Sequence, residues 1–418
     1  MSSVVGLRCV TCGREFRPGE VFYTCPVCGP LLGTLDVVYD FSAVKKQLSR
    51  GKLARNARPD HWRYLPLLPV EQPEWIPDLQ VGWTPLYRAE DLAKELGIQA
   101  LWIKDDGRNP TASLKDRASS VALVKARERR AHTVTAASTG NAASSWSAFS
   151  ALAGLCCIIF VPRGAPQAKI AQLLLYGATV LEVDGNYDEA FDLCSRAAER
   201  WGWFNRSTAV NPYLGEGKKT AALELCEQLD WRVPDAVFVA VGDGCIFQGL
   251  WKGFKELYDL GWTDRLPRMI GVQAAGAAPL VRAWQRGERR VSEPVQPRTI
   301  ADSIAVGVPR DQVKALRAAR ESGGEFLAVS DEEILQAMRV LARRVGVLAE
   351  PAGAAGLAGL LRLAREERLH AIRRVAVLVT GHGLKDVGGL MRAVNSRPLS
   401  VENSLRKVEM RLKEQGIL

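Results

Sequence analysis

The sequence predicts an α/β protein of two three-layer units, each a parallel sheet covered by helices on both faces, preceded by a small cysteine-bearing module. Three observations predict this. Short, continuously apolar runs alternate with helical patterns through most of the chain, the signature of parallel strands buried on both faces. Two Cys-x-x-Cys pairs fall within the first 28 residues. The length, 418 residues, allows two or three domains at roughly 100–200 residues each.

Cys9 and Cys12, in LRCVTCGRE, and Cys25 and Cys28, in YTCPVCGPL, are separated by a hairpin-length stretch. Gly13 and Gly29 follow the pairs and let the backbone turn so that both thiolates of each face one ion. Four soft sulfurs at this spacing suit tetrahedral Zn²⁺ in a closed, structural site. Two disulfides, or a ribbon without metal, are the alternatives; the opening residues carry no export signal, which argues against the first. Cys156, Cys157, Cys194, Cys226 and Cys245 are scattered, and packing is the role expected of them.

A proline-rich stretch around 59–85 reads as a linker. Strands are then expected at 101–105, 133–138, 155–162, 179–185, 236–242, 268–275, 325–330 and 374–381. Helices lie between them, among them AKIAQLLLYGA, YDEAFDLCSRAAERWG and EGKKTAALELCEQL, and a capping box, Ser330 with Glu333, opens DEEILQAMRVLARRVG. SVENSLRKVEMRLKEQ predicts a terminal amphipathic helix, for an oligomer contact or for docking onto the body. There is no tandem repeat.

Hydrophobic residues at 47% and charged residues at 24% exclude a disordered chain. Apolar runs such as LCCIIFV fall short of the ~20 residues of a bilayer span, so a cytoplasmic protein without a membrane partner is expected. The formal charge is +10, but its densest stretches, KARERR and RLAREERLHAIRR, mix glutamate with arginine as solvated helix faces do. No single-signed stripe with interleaved aromatics speaks for nucleic acid, and the positive potential favours small anionic substrates.

Ligands of such folds gather at the carboxyl ends of strands, where four loops stand out. In NPTASLKDRAS, Lys115 begins a helix among small residues. An isolated lysine is ordinarily a solvated charge, but one held at a pocket wall can lose its proton and bond an aldehyde carbon. In ASTGNAAS, Ser138, Thr139 and Asn141 precede a helix start able to hold a carboxylate; a plain capped turn is the alternative. In VGDGCIFQG, the N–H groups of Gly242 through Ile246 can cradle a phosphate, although the loop matches neither the dinucleotide nor the P-loop pattern. Asp243 is a curious neighbour for a phosphate, and its side chain is expected to turn away or meet a lysine. In VTGHGLKD, Thr380 can hydrogen-bond a ring nitrogen, while His382 has no evident carboxylate partner and reads as structural.

Taken in order, these loops resemble the fold-type II pyridoxal-phosphate enzymes (tryptophan synthase β-like), and within them the threonine synthases. The resemblance runs through WTPLYRA, AVNPYLGEGKKTA, MIGVQAAGAAPLV and AEPAGAAGLAGL and covers nearly the whole chain. It implies Lys115 as the Schiff-base and catalytic lysine, and Gly242, Asp243, Gly244, Cys245 and Ile246 as the cofactor-phosphate cradle. It likewise implies Asn141 at the cofactor's 3-oxygen, Thr380 at its pyridine nitrogen, and Ser138, Thr139 and Gly140 at the substrate carboxylate. The activity implied is conversion of O-phosphohomoserine and water to threonine and phosphate. The alternatives are elimination or replacement on serine, threonine or phosphoserine and, more remotely, a zinc-ribbon nucleic-acid binder.

The chain departs from the motifs it resembles. Ala112 and Leu114 replace the glycine and phenylalanine of Thr-Gly-Ser-Phe-Lys-Asp-Arg, and Asp243 and Cys245 are unusual in a cradle that commonly reads Gly-Asn-x-Gly-Asn. Leu214 stands where Asn-Pro-x-Arg-x-Glu-Gly-Gln-Lys-Thr has arginine, and Ala305 where Ala-Ile-Arg-Ile-Gly has another. Arginine is the natural bidentate clamp for phosphate. Arg117, Lys169, Lys218 and Lys219 are the candidates to replace it, and spacing alone does not say which faces the pocket. The expected organisation is a zinc ribbon over 1–40, a large pyridoxal-phosphate-binding domain from 41–114 and 211–390, a small domain over 115–210, and a helical segment over 391–418, in a homodimer.

Overall fold

The computed structural model describes residues 3–165, 167–394 and 396–418. Three sheets organise it. The first is antiparallel, order β2-β1-β3, from β1 (Val4–Cys9), β2 (Glu15–Phe16) and β3 (Leu35–Tyr39). The second has six strands: β4 (Leu86–Arg88), β5 (Ala100–Asp105), β10 (Ala236–Ala240), β11 (Arg268–Ala274), β12 (Glu325–Val329) and β13 (Arg374–Val379). The third, order β8-β7-β6-β9, is parallel throughout and is inserted in the chain between β5 and β10. It is built from β6 (Thr133–Ala137), β7 (Cys156–Pro162), β8 (Thr179–Val183) and β9 (Phe204–Asn205).

All eight expected strands are present, within one or two residues at their ends. β1 to β4 and β9 were not among them. β2, β4 and β9 are only two or three residues long, too short to show a period, while β1 and β3 carry short apolar runs within the cysteine module.

The six-stranded sheet runs β12-β11-β10-β13-β5-β4, parallel except for the edge strand β4. Both of its faces are buried, which is why its strands read as continuous apolar runs. Phe238, Ile270 and Val377 pack on one side against the helix Pro351–Arg365; Val237, Val239 and Leu378 pack on the other against Leu223, Leu250 and Ala315. The four-stranded sheet is covered likewise, by Trp146 and Phe149 on one face and Phe191 and Cys194 on the other. Cys156, expected in the core, is exposed at the start of β7.

The proline-rich stretch is not a loose linker. It folds into 3₁₀ turns at His61–Leu67 and Pro73–Trp75 that bury Trp62, Tyr64 and Leu67. The expected terminal helix forms at Leu405–Glu414 with no buried residue, so it does not dock onto the body.

Candidate active site

β10, β13 and β5 are neighbouring parallel strands, so their carboxyl ends share one edge of the sheet. That edge brings together the three loops of this sheet that the sequence singled out. α1 (Lys115–Glu128) leaves the β5 loop, and its start is fastened to the end of β13: the Leu114 N–H donates to Thr380 O at 2.9 Å, and the His382 N–H to Ala112 O at 3.0 Å. The turn into α1 places Ala112 at φ 61°, a left-handed conformation that favours glycine, the residue of the resembling motif.

The fourth loop comes from the other sheet. After β6, Ser138 Oγ accepts from the Gly140 N–H at 3.1 Å, and α2 (Asn141–Leu152) begins with no side-chain cap. Its first-turn N–H groups are left for an outside acceptor.

One cavity of about 240 Å³ joins these loops. Lys115, Ser138, Thr139, Gly140, Asn141, Gly242, Asp243, Gly244, Cys245, Ile246 and Thr380 all line it. Gly244, at φ 91°, caps the 15-residue helix Cys245–Asp259, and Gln248 is the first residue to bond back to it, so the preceding N–H groups open toward the cavity. A Cβ on Gly244 would lie 2.7 Å from Ala315 Cβ, so only glycine fits there. The Asp243 carboxylate accepts from the Arg310 backbone N–H at 3.1 Å, and among the described residues no ion pair joins it to a lysine. Burial raises its pKa.

The Lys115 amine is held down to about 8, chiefly by burial, then by the charge of Lys218; Glu350 opposes this, and Arg206 adds to it. A depressed amine at a cavity wall is the reactive form of a lysine. Glu350 also lines the cavity. It accepts from Asn141 Nδ2 at 2.7 Å, and burial raises its pKa. Nothing in the stretch AEPAGAAGLAGL marks Glu350 as part of a site beyond its position directly before the helix Pro351–Arg365.

Three of the candidate cations do not line the cavity. Arg117 is completely buried between Asp106 and Glu224, at 2.6 and 2.5 Å, with Thr220 at 2.9 Å, and its charge is consumed by the core. Lys219 is completely buried between Glu216 and Glu256, at 2.6 and 2.7 Å. Both expectations of substrate contact are corrected by this pairing. Lys169 pairs with Asp302, itself a lining residue, and so stands at the rim. Lys218 does line the cavity, as does Arg206, which follows β9 and which spacing did not mark.

The four cysteine sulfurs lie within 4.8 Å of one another, with Cys12 and Cys25 at 3.8 Å. Gly13 and Gly29, at φ 74° and 71°, close both knuckles by donating N–H bonds to Cys9 O and Cys25 O, each 3.0 Å.

An amine at a cavity wall, a glycine-walled helix start for a phosphate and a hydroxyl-bearing strand end are the donors that pyridoxal phosphate requires. The class these define is the fold-type II pyridoxal-phosphate enzyme. Residues 78–381 match the family model described as pyridoxal-phosphate dependent enzyme. A solved Escherichia coli diaminopropionate ammonia lyase superposes with TM-score 0.65 at 20% identity, over 83% of this chain and 91% of that one, a likeness of fold. Threonine synthase of Methanocaldococcus jannaschii is 41% identical over 97% of this chain and 99% of its own length, and that of Methanosarcina acetivorans is 41% identical over 91% and 92%. The chain belongs to the pyridoxal-phosphate dependent enzymes, and within that family to the threonine synthases.

Proposed function

We propose that the chain converts O-phosphohomoserine and water to threonine and phosphate. The observation that carries this is the single cavity that unites Lys115, the Gly242–Ile246 loop and the Ser138–Asn141 loop, in a chain whose similarity to threonine synthases runs nearly end to end.

When bound, pyridoxal phosphate supplies the electron sink that lets bonds at the substrate's Cα and Cβ break heterolytically. In this reading Gly242, Asp243, Gly244, Cys245 and Ile246 hold its phosphate through backbone N–H groups, Thr380 meets its ring nitrogen and Asn141 its 3-oxygen. Ser138, Thr139 and Gly140 receive the substrate carboxylate at the start of α2. Lys115, whose amine would hold the cofactor's aldehyde carbon, would take protons from the substrate's carbon chain and return them as phosphate leaves Cγ and water adds at Cβ. A neutral hydroxyl at the ring nitrogen tempers the sink and favours elimination and replacement over transamination.

The four thiolates suit a structural zinc. Tetrahedral bonds of about 2.3 Å place sulfurs about 3.8 Å apart, the spacing of Cys12 and Cys25. The sheets support a ribbon over 1–40, a small domain over 115–210, a large domain from 41–114 and 211–390, and a terminal segment over 391–418. A cytoplasmic homodimer is part of this reading. The free thiols support a reducing compartment, and exposed Val387 and Met391, four apart on the helix Val387–Ala393, with exposed Leu384 and Val394 flanking it, support a partner copy.

Leu214 and Ala305 favour a second reading, elimination on serine, threonine or phosphoserine. Phosphate release from O-phosphohomoserine, measured beside keto-acid release from serine and threonine, separates the two. Threonine formation that disappears in Lys115→Ala is the expected result. Keto-acid release alone would retire the synthase reading, and undiminished turnover by the alanine variant would end the pyridoxal-phosphate assignment itself.

A further inference from the structure

The cavity holds two buried cations that the proposed chemistry has not used. Arg206 and Lys218 are each 1% exposed. Arg206 Nη2 donates to Ser119 Oγ at 3.3 Å, one turn beyond Lys115 on α1, while its Nε has no hydrogen-bond partner. Among the described residues the ion pairs nearby engage Lys219 and Arg310, and none engages Arg206 or Lys218. Arg206 feels the charge of Asp116 and Lys218 that of Asp243, but neither is held in an ion pair; a buried cation without a paired counter-charge is costly, so two at one cavity wall favour an anion there.

Their positions indicate which anion. Lys218 lies four residues after Leu214 on the helix Tyr213–Gln228, so the two share a face one turn apart. The arginine absent at 214 is thus matched by an ammonium one turn further along. Arg206 enters from the tip of β9, on the four-stranded sheet, so the two cations reach the cavity from different elements. The cofactor phosphate already has the N–H groups of the cradle; a second phosphate, leaving from substrate Cγ, needs donors of its own. We propose that Arg206 and Lys218 form the clamp for the substrate's phosphate monoester, in place of the arginines missing at 214 and 305. This rests on the synthase reading above.

The test uses holoenzyme whose cofactor has been fixed onto Lys115 by borohydride reduction, so that added phosphate cannot displace it. Titration with inorganic phosphate by calorimetry should show binding in the parent. The affinity should fall about tenfold or more in Arg206→Gln and in Lys218→Gln, and less in Arg206→Lys, which keeps the charge. Thermal melting and cofactor absorbance establish that each variant is folded and loaded. Unchanged phosphate affinity in both glutamine variants overturns the clamp, and so does weakened cofactor retention, measured before reduction, with phosphate affinity intact, which would assign the cations to the cradle. A parent that binds phosphate through these residues yet releases none from O-phosphohomoserine would refute the proposed reaction and leave the clamp standing.

Discussion

Lys115 and Arg117 are two residues apart on one helix and have opposite fates. Arg117 is matched by two carboxylates, and its fork geometry serves the core. Lys115 is desolvated by burial and has cations for neighbours, so its proton is disfavoured and its pKa falls to about 8. The sign of the consequence follows. Only the neutral amine attacks an aldehyde, and its fraction rises with pH until the amine is mostly deprotonated. The rate of pyridoxal-phosphate uptake by apoenzyme should therefore climb about tenfold per unit between pH 6 and 7 and level off above about 8. Stopped-flow absorbance measures it; a rate still climbing between pH 9 and 10 would mean that Lys115 behaves as an ordinary lysine.

α1, the helix Tyr213–Gln228 and the helix Cys245–Asp259 carry Lys115, Lys218 and the cradle respectively, and glycines let them pack at backbone distance. A Cβ on Gly217 would fall inside the van der Waals envelope of Arg117 O, and one on Gly253 would lie 2.6 Å from Lys219 O. Backbone atoms cannot yield as a flexible side chain can, so any added methyl must push the helices apart. Gly217→Ala should cost about 1–3 kcal/mol, read by urea denaturation, and should weaken cofactor retention because α1 shifts with it. Full stability would show that the helices have room to slide.

The cysteine module is tied to the helices Tyr213–Gln228 and Cys245–Asp259 and to the neighbouring helix Gln312–Glu321. Tyr39 Oη donates to Glu216 at 2.7 Å, Lys252 Nζ to Val37 O at 2.6 Å, Lys314 Nζ to Leu35 O at 2.7 Å, and Arg317 to Val10 O at 2.8 Å. Glu216 is the carboxylate that also pairs with Lys219, so the module closes a buried charge network at the back of the helix that presents Lys218. Zinc analysis should find one ion per chain, and chelation or Cys12→Ser should lower the melting temperature by a few degrees. A melting curve indifferent to chelation would remove the structural role of the metal.

What the sequence determined by itself was everything carried by local pattern. Apolar runs buried on both faces announced the parallel strands, cysteine pairs with trailing glycines announced the knuckles, and small-residue loops at strand ends announced Lys115, the cradle and the Ser138–Asn141 loop. Short edge strands such as β4 and β9 carry too few residues to show a period. Charge was the other property that the local pattern left open. Arg117, Lys169, Lys218 and Lys219 are equivalent as letters, and only the helix faces and the carboxylates that folding brought to them decided their roles, for Arg117 and Lys169 across more than 100 residues: Arg117 to Glu224, Lys169 to Asp302. Arg206 and Glu350 joined the site for the same reason. A buried charge is defined by its surroundings, and those surroundings exist only once the chain has folded.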